Sequence, residues 1–200
     1  IDTNRTYDER TKGVRLSLPL GLLYLAGVLE AEGYQVSVLD CKIAKKTRIK
    51  KLKNGLTHHG LDDDDFKDLI KAENPDLVGV SCMFTAQFEN YLKDTKLIKE
   101  VNPNIFVVGG GPHFSVIDKN FLLTNQNTDC YVSGEGETPF LEIIKAKQAG
   151  ESLVGIKGVN IIERSSNGTK PKITNTPRAK TLLRDSELDT LPLPAYHKVD

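Results

Sequence analysis

Apolar residues fall along this chain in two alternating rhythms, one recurring every three to four positions and one packed into short runs. The first strong segment is Pro19 to Glu32, where Leu20, Leu22, Leu23, Leu25, Ala26, Val28 and Leu29 leave almost no polar face. Proline at the opening and Gly33 beyond the end predict a helix there, and one so apolar belongs in an interior. Tyr34 to Asp40 then alternates and predicts a strand. Phe66, Leu69 and Ile70 mark one face of a helix ending near Ala72. Asp76 to Cys82 is the next strand. Phe84, Phe88, Leu92, Thr95, Ile98 and Val101 recur at helical spacing until Asn102-Pro103 stops them. Ile105 to Phe114 reads Ile-Phe-Val-Val-Gly-Gly-Gly-Pro-His-Phe, a strand apolar on both faces that runs into glycines.

Ile117 to Asn125 predicts a short helix and Asp129 to Ser133 a strand. Thr138-Pro139 then opens a helix to Ala149, with Thr138 as its N-cap and Gly150 as its stop. Helix and strand thus alternate over 16–150, the mark of an α/β fold with a doubly wound parallel sheet. Past that point the pattern changes. Val159 to Glu163 and Lys172 to Thr174 flank Ser-Ser-Asn-Gly-Thr, a β-hairpin signal. From Pro177 the chain is proline-rich and charged, as in an extended linker. Residues 1–15 read as a loop. The expected organisation is an α/β domain over 1–152, a hairpin extension over 153–176 and a linker over 177–200.

Charge alters this picture in one place. Lys42, Lys45, Lys46, Arg48, Lys50, Lys51 and Lys53 precede His58, His59 and four aspartates, Asp62 to Asp65. The plain reading is a solvated loop, then a helix whose amino end welcomes acids; a phosphate contact by one lysine is the sharper alternative. Over the whole chain the formal net charge is zero, which speaks against a nucleic-acid or anionic-membrane binder held by bulk electrostatics. No run reaches the roughly 18 apolar residues of a membrane span, and no signal-peptide pattern is present. Cys41, Cys82 and Cys130 are too far apart for a Cys-x-x-Cys pair, and an odd count without a secretory signal suits reduced, cytoplasmic thiols. A start at Ile1 without methionine suggests a piece of a longer protein.

In open α/β sheets ligands lie beyond the carboxyl ends of the strands. Here those ends bring Asp40, Ser81, Gly109 to Gly111 and Ser133 to Glu137 to one rim. The glycines form neither a dinucleotide fingerprint, since Phe114 stands where its last glycine belongs, nor a P-loop. Ser81 is able to donate to a ligand nitrogen or to the local backbone. His113 is a ligand contact or a loop anchor. Glu135 and Glu137 suit a helix amino end, or a carboxylate role that lacks a paired base.

Four segments then carry a resemblance: Pro-Leu-Gly-Leu-Leu-Tyr-Leu-Ala-Gly-Val-Leu-Glu-Ala-Glu-Gly-Tyr-Gln-Val at 19–36, Pro-Asp-Leu-Val-Gly-Val-Ser at 75–81, Val-Gly-Gly-Gly-Pro-His-Phe at 108–114 and Ser-Gly-Glu-Gly-Glu at 133–137. In that order they resemble the amino-terminal cobalamin-binding domain of cobalamin-dependent radical SAM enzymes, a group that includes methyltransferases and the anaerobic Mg-protoporphyrin monomethyl ester cyclase type. Leu-Asp-Thr-Leu-Pro-Leu-Pro-Ala-Tyr at 188–196 resembles the bridge before their radical SAM barrel. The resemblance implies a flavodoxin-like (Rossmann-like) domain with the corrin over the sheet's carboxyl edge and its nucleotide tail among the loops after Ser81 and Gly109. It implies cofactor contacts from Asp40, Cys41, Lys42, Ser81, Cys82, Met83, Gly109, Gly110, Gly111, Pro112, His113, Ser133, Gly134, Glu135, Gly136 and Glu137, the bare glycines sparing the tail a collision with a Cβ. It further implies no catalytic residue in this segment; the 4Fe-4S cluster and S-adenosylmethionine belong to a downstream domain.

Two departures stand out. The family's Asp-x-His-x-x-Gly motif supplies a histidine to cobalt, but here the segment is Asp40-Cys41-Lys42-Ile43-Ala44-Lys45. Lys42 is an ammonium without a lone pair, so no histidine ligand is expected from this motif; His58 or His59, from the long loop, could in principle substitute. The family's central first strand also has no counterpart before Leu16. Two rival readings share the fold: a module binding a flavin, another nucleotide or nothing, and an interaction domain with an apolar rim.

Overall fold

The computed structural model describes residues 1–8, 10, 16–117, 123, 127–164, 171–175 and 189–199. Its elements are β1 (Arg5–Asp8), α1 (Leu20–Ala31), β2 (Arg48–Lys51), β3 (Leu56–Gly60), α2 (Asp63–Glu73), β4 (Leu77–Ser81), α3 (Phe88–Val101), β5 (Phe106–Gly110), β6 (Cys130–Val132), α4 (Glu137–Ala149), β7 (Val159–Glu163) and β8 (Lys172–Asn175). The main sheet has the order β4-β5-β6-β7-β8. Its β4, β5 and β6 are parallel, and β7 and β8 add antiparallel as the expected hairpin. Successive residues of β5 face opposite ways. Val107 joins Phe66 and Ile70 of α2 and Phe88, Tyr91 and Ile98 of α3, whereas Val108 joins Ile143 and Ala146 of α4. Two helical layers therefore need a strand apolar on both sides, as the unbroken Ile-Phe-Val-Val run provides.

The sheet does not end at β4. Asp2 bridges in parallel to Ser81 on one side and to Asp40 on the other. Its amide donates to Leu39 O at 2.8 Å, Cys41 N donates to Asp2 O at 3.1 Å, and Ser81 N donates to Ile1 O at 2.9 Å. The place between Asp40 and β4 is thus occupied by the first residues, which the sequence reading assigned to a loop. Tyr34 to Leu39, expected as a strand, forms no ladder, and only Asp40 makes a bridge. The alternation is genuine, but its neighbour in the sheet is this short segment, too short to carry a ladder along it.

The expected loop after Cys41 is instead folded. β2 and β3 form a hairpin, and β1 pairs with the other side of β3, giving a separate antiparallel sheet. Its turn runs from Leu52 to Leu56, with Gly55 N donating to Leu52 O at 3.0 Å and Gly55 at φ +81°, the left-handed glycine that three-residue hairpin loops favour. Arg48 and Lys50 meet Asp62 at 2.6 Å, and Lys46 meets Asp65 at 2.8 Å. Much of the basic stretch therefore neutralises the aspartates that open α2.

Three smaller corrections follow. α4 begins at Glu137 after Gly136, so Thr138 lies inside the helix and does not cap it. α1 buries Leu23, Ala26, Gly27 and Leu29, but its amino end is open, with Leu18 51% exposed. The tail beyond Asp189 is no free linker: Ala195 N donates to Leu23 O at 3.0 Å, and Lys198 pairs with Glu30 at 2.8 Å. The short helix expected over 117–125 falls mostly outside the described residues. No helix among the described residues is long and apolar enough to cross a membrane.

Candidate functional site

The turns after β4 and β5 are stitched to each other. Cys82 N donates to Gly110 O at 2.8 Å, and His113 N donates to Cys82 O at 3.2 Å. Each glycine of the triplet has its own reason. A Cβ on Gly109 would stand 2.6 Å from Tyr91 Oη and 2.8 Å from the Phe114 ring. Gly111 has φ +99°, and a Cβ there would stand 2.8 Å from Cys82 O. Gly110 alone faces open space, with nothing within 4 Å of where its Cβ would be. The expectation that all three are bare for the sake of a ligand is therefore corrected: Gly109 and Gly111 are required by the chain's own packing, and only Gly110 leaves room outside.

Beside this turn lies a buried ion cluster. Lys42 Nζ reaches Asp40 Oδ1 at 2.8 Å and also donates to Asp2. Asp40 Oδ1 accepts from Lys42 N at 2.8 Å as well. Lys42 is only 5% exposed. An ammonium so enclosed needs its carboxylates, because an unpaired buried charge is strongly destabilising. The pairing locks the turn after Asp40 to the segment at Asp2. Asp40 Oδ2 is left without a partner.

The remaining candidates sort by what they touch. Cys41 and Cys82 are fully buried, and Cys82 donates its thiol to Phe84 O at 3.4 Å. Burial pushes the Cys82 thiol up to about 12, so it is a packing group and no thiolate. His113 shares a hydrogen bond with Thr85 Oγ1 at 3.1 Å, and its ring sits 4.7 Å from that of Phe88. Burial lowers its pKa, so the ring is neutral, and Nε2 has no partner. Ser133 donates to Phe114 O at 3.1 Å, and Gly134 N donates to Ser115 Oγ at 3.1 Å, tying the turn after β6 to the turn after β5. Burial, then Glu137, raises the pKa of Glu135. Pro112 is exposed. His58 Nε2 lies 3.4 Å from Leu61 O within the small sheet, and His59 is buried there. Among the described residues no group of histidine, cysteine or acidic side chains could hold a metal ion.

A shallow groove, open to solvent, lies on this edge between Asp2, Arg5, Ser17, Leu18, Pro19, Lys42, Met83 and Gln87. Leu18, Met83 and Phe84 are all about half exposed. Asp2, Arg5 and Gln87 escaped the sequence reading. Asp2 and Arg5 sit in what looked like a polar loop, and Gln87 is one polar residue in a helical run. Pairing of residues 1–2 with 39–41 and 81 was the missing information.

Comparison with known proteins places this geometry. A family model described as B12 binding domain matches residues 16–144. An uncharacterized methyltransferase of Pyrococcus horikoshii is 33% identical over 178 residues, covering 89% of this chain and 33% of that protein. The cytidylyl-2-hydroxyethylphosphonate methyltransferase of Streptomyces wedmorensis is 30% identical over 197 residues, covering 92% of this chain and 37% of its own. The chain thus spans about a third of the length of these relatives. In fold it is similar to the radical S-adenosylmethionine methyltransferase TsrM from Kitasatospora setae, solved with cobalamin and a 4Fe-4S cluster bound. That match has a TM-score of 0.61 at 23% identity, over 92% of this chain and 30% of that one.

Proposed function

This chain belongs to the B12-binding domain family, and from that premise we propose that it holds cobalamin over the Asp40–Ser81–Gly110 edge, with no histidine ligand from the Asp40–Lys42 segment. It is a cobalamin-binding domain of the kind carried by cobalamin-dependent radical SAM enzymes. The observation that carries the edge assignment is the open backbone at Gly110, whose carbonyl accepts from Cys82 N at 2.8 Å, one residue before Met83 of the groove. A planar macrocycle needs such an approach, and the exposed apolar Leu18, Met83 and Phe84 suit its flank. Among the described residues nothing stands within 4 Å of where a Cβ on Gly110 would be, which supports an approach from outside at that point.

In this reading Lys42, held between Asp2 and Asp40, stabilises the floor of the site and offers no lone pair. The turns after Ser81, Gly110 and Val132 shape the wall, bonded to one another by backbone groups and by the Ser115 and Ser133 hydroxyls so that the shape is fixed before binding. Cobalamin supplies methyl-group or radical chemistry when bound, and the protein's share is to hold and orient it. The proposed division is cofactor domain over 1–152, hairpin over 153–176 and connector over 177–200. The chemistry would be completed by a downstream domain with a 4Fe-4S cluster and S-adenosylmethionine, for methyl transfer or oxidative cyclisation in the cytoplasm.

The test is a titration of the full-length protein with hydroxocobalamin, followed by electron paramagnetic resonance of the reduced Co(II) form. Tight binding with no nitrogen superhyperfine splitting is expected. A nitrogen splitting that changes when the protein's histidines are labelled with nitrogen-15 would remove the ligand assignment while keeping the cofactor; a splitting that labelling leaves unchanged would come from the cofactor's own benzimidazole. No binding at saturating cofactor would favour an empty flavodoxin-like scaffold.

A further inference from the structure

Arg5 opens β1, and its backbone is fixed opposite His59 in the small sheet. The residue is half-buried and lines the groove together with Asp2, Ser17, Lys42 and Gln87. The other described arginines, Arg10, Arg48 and Arg164, each hold a carboxylate. The Arg5 side chain differs from them: among the described residues it has no hydrogen bond and no ion pair. Asp2 stands in the same groove, but its carboxylate is engaged by Lys42.

A guanidinium stays charged at any ordinary pH and carries its N–H donors in a planar fork that matches two oxygens of one acid group. Half out of water and without an acceptor, it forgoes the strong charge-assisted bonds that such a group supplies. A second donor points the same way. Gln87 closes its Oε1 inside the fold and leaves Nε2 as the open atom of the amide, also without a partner. The neighbouring charges set the size of the guest. Asp2 and Asp40 against Lys42 leave one negative charge beside Arg5, which would repel a doubly charged ion far more than a singly charged one. We propose that Arg5, with Gln87 Nε2 as a second donor, binds a singly charged oxyanion: a phosphodiester, a phosphonate monoester or a carboxylate. Leu18 and Met83 give the groove an apolar border, which suits an acid group carried on an organic ligand. Two sources have that chemistry, the phosphodiester of a corrinoid and the acid group of a second molecule lying on the same edge. The site itself stands without the cobalamin reading.

The experiment compares the full-length wild type with Arg5→Met and Arg5→Lys. Each is titrated at low ionic strength with sodium dimethyl phosphate and, separately, with sodium acetate, following the NMR linewidth of the anion. The wild type is expected to bind at least one of the two saturably, and Arg5→Met to bind it about tenfold more weakly. Arg5→Lys keeps the charge without the fork and should fall between them, which guards against a methionine variant that folds poorly. The wild-type titration is then repeated with hydroxocobalamin bound, and with diaquacobinamide bound, which lacks the phosphodiester and its nucleotide. Loss of the site under hydroxocobalamin alone assigns it to the corrinoid's phosphodiester, and retention under both assigns it to a second molecule. Loss under both would mean that the ring itself covers the groove, and would overturn the proposal. No saturable binding of either anion by the wild type, or equal binding by folded Arg5→Met, would also overturn it while leaving the cobalamin reading intact. Should neither corrinoid bind, the cobalamin reading falls, and the titration of the unloaded protein still decides this one.

Discussion

Replacing Asp94 with asparagine should change how stability depends on pH. Asp94 lies on α3 and is fully buried. Its carboxylate accepts from Asn4 N at 3.4 Å and Asn4 Nδ2 at 3.3 Å, while Asn4 Oδ1 accepts from Leu61 N at 2.8 Å. Asn4 is thus a clamp joining α3 to the end of β3. Burial raises the Asp94 pKa from 3.8 to about 7; the Asn4 bonds and Lys93 oppose the rise, and Asp63 adds to it. The folded state therefore holds a proton that the unfolded chain has already released, and stability falls as pH climbs from about 4 to about 7, then levels off. A change of that size corresponds to roughly 4 kcal/mol. Asparagine cannot ionise, but its NH₂ would face an Asn4 donor, at a cost of about 1–2 kcal/mol. The two proteins should be about equally stable near pH 5, and Asp94→Asn should be ahead by about 2–3 kcal/mol at pH 8. Urea unfolding from pH 5 to 8.5 reads this directly, and taking the difference cancels every other titrating group. A difference that stays flat within about 0.5 kcal/mol would refute the burial argument.

The neighbouring glycines should part company: Gly109→Ala should lose about 1–3 kcal/mol through collision with Tyr91 and Phe114, while Gly110→Ala should melt like the wild type and bind hydroxocobalamin about tenfold more weakly. Equal losses of stability in the pair would sink the packing distinction. Gly27→Ala presents a paradox, because alanine strengthens a helix by about 1 kcal/mol, yet its Cβ would stand 2.4 Å from Leu193 O. The 189–199 segment should lift from α1, so the Ala195 amide, bonded to Leu23 O at 3.0 Å, should exchange with deuterium at least tenfold faster; unchanged protection would count against that account.

The α/β alternation was legible because helices and buried strands have different apolar periods. The Val107–Val108 pair reported a sheet covered on both faces, and the carboxyl-edge rule pointed to the edge proposed as the site without any catalytic motif. What escaped was long-range pairing. Nothing local in Ile1-Asp2-Thr3 marks it as the segment beside β4, since its pairing depends on residues near 40 and 81. The β2–β3 hairpin was hidden for a different reason: the many lysines suggested solvent, and the strands carry too little apolar surface to stand out from it. The glycine triplet shows the limit of motif reasoning. Three identical residues serve two internal contacts and one external opening, and only coordinates separate them.

The antiparallel hairpin has a consequence for where this protein can be cut. β6 is a short, deeply buried strand whose outer backbone groups are bonded to β7. The far border of the sheet is β8, only four residues long and opening with Lys172, the kind of short, charged margin that discourages sticking between molecules. Trimming at 152, where the helix–strand alternation stops, would strip away that margin and leave Cys130–Val132 as a raw hydrophobic ribbon. Such a piece is expected to self-associate in a sedimentation experiment, whereas one keeping both hairpin strands should stay dispersed.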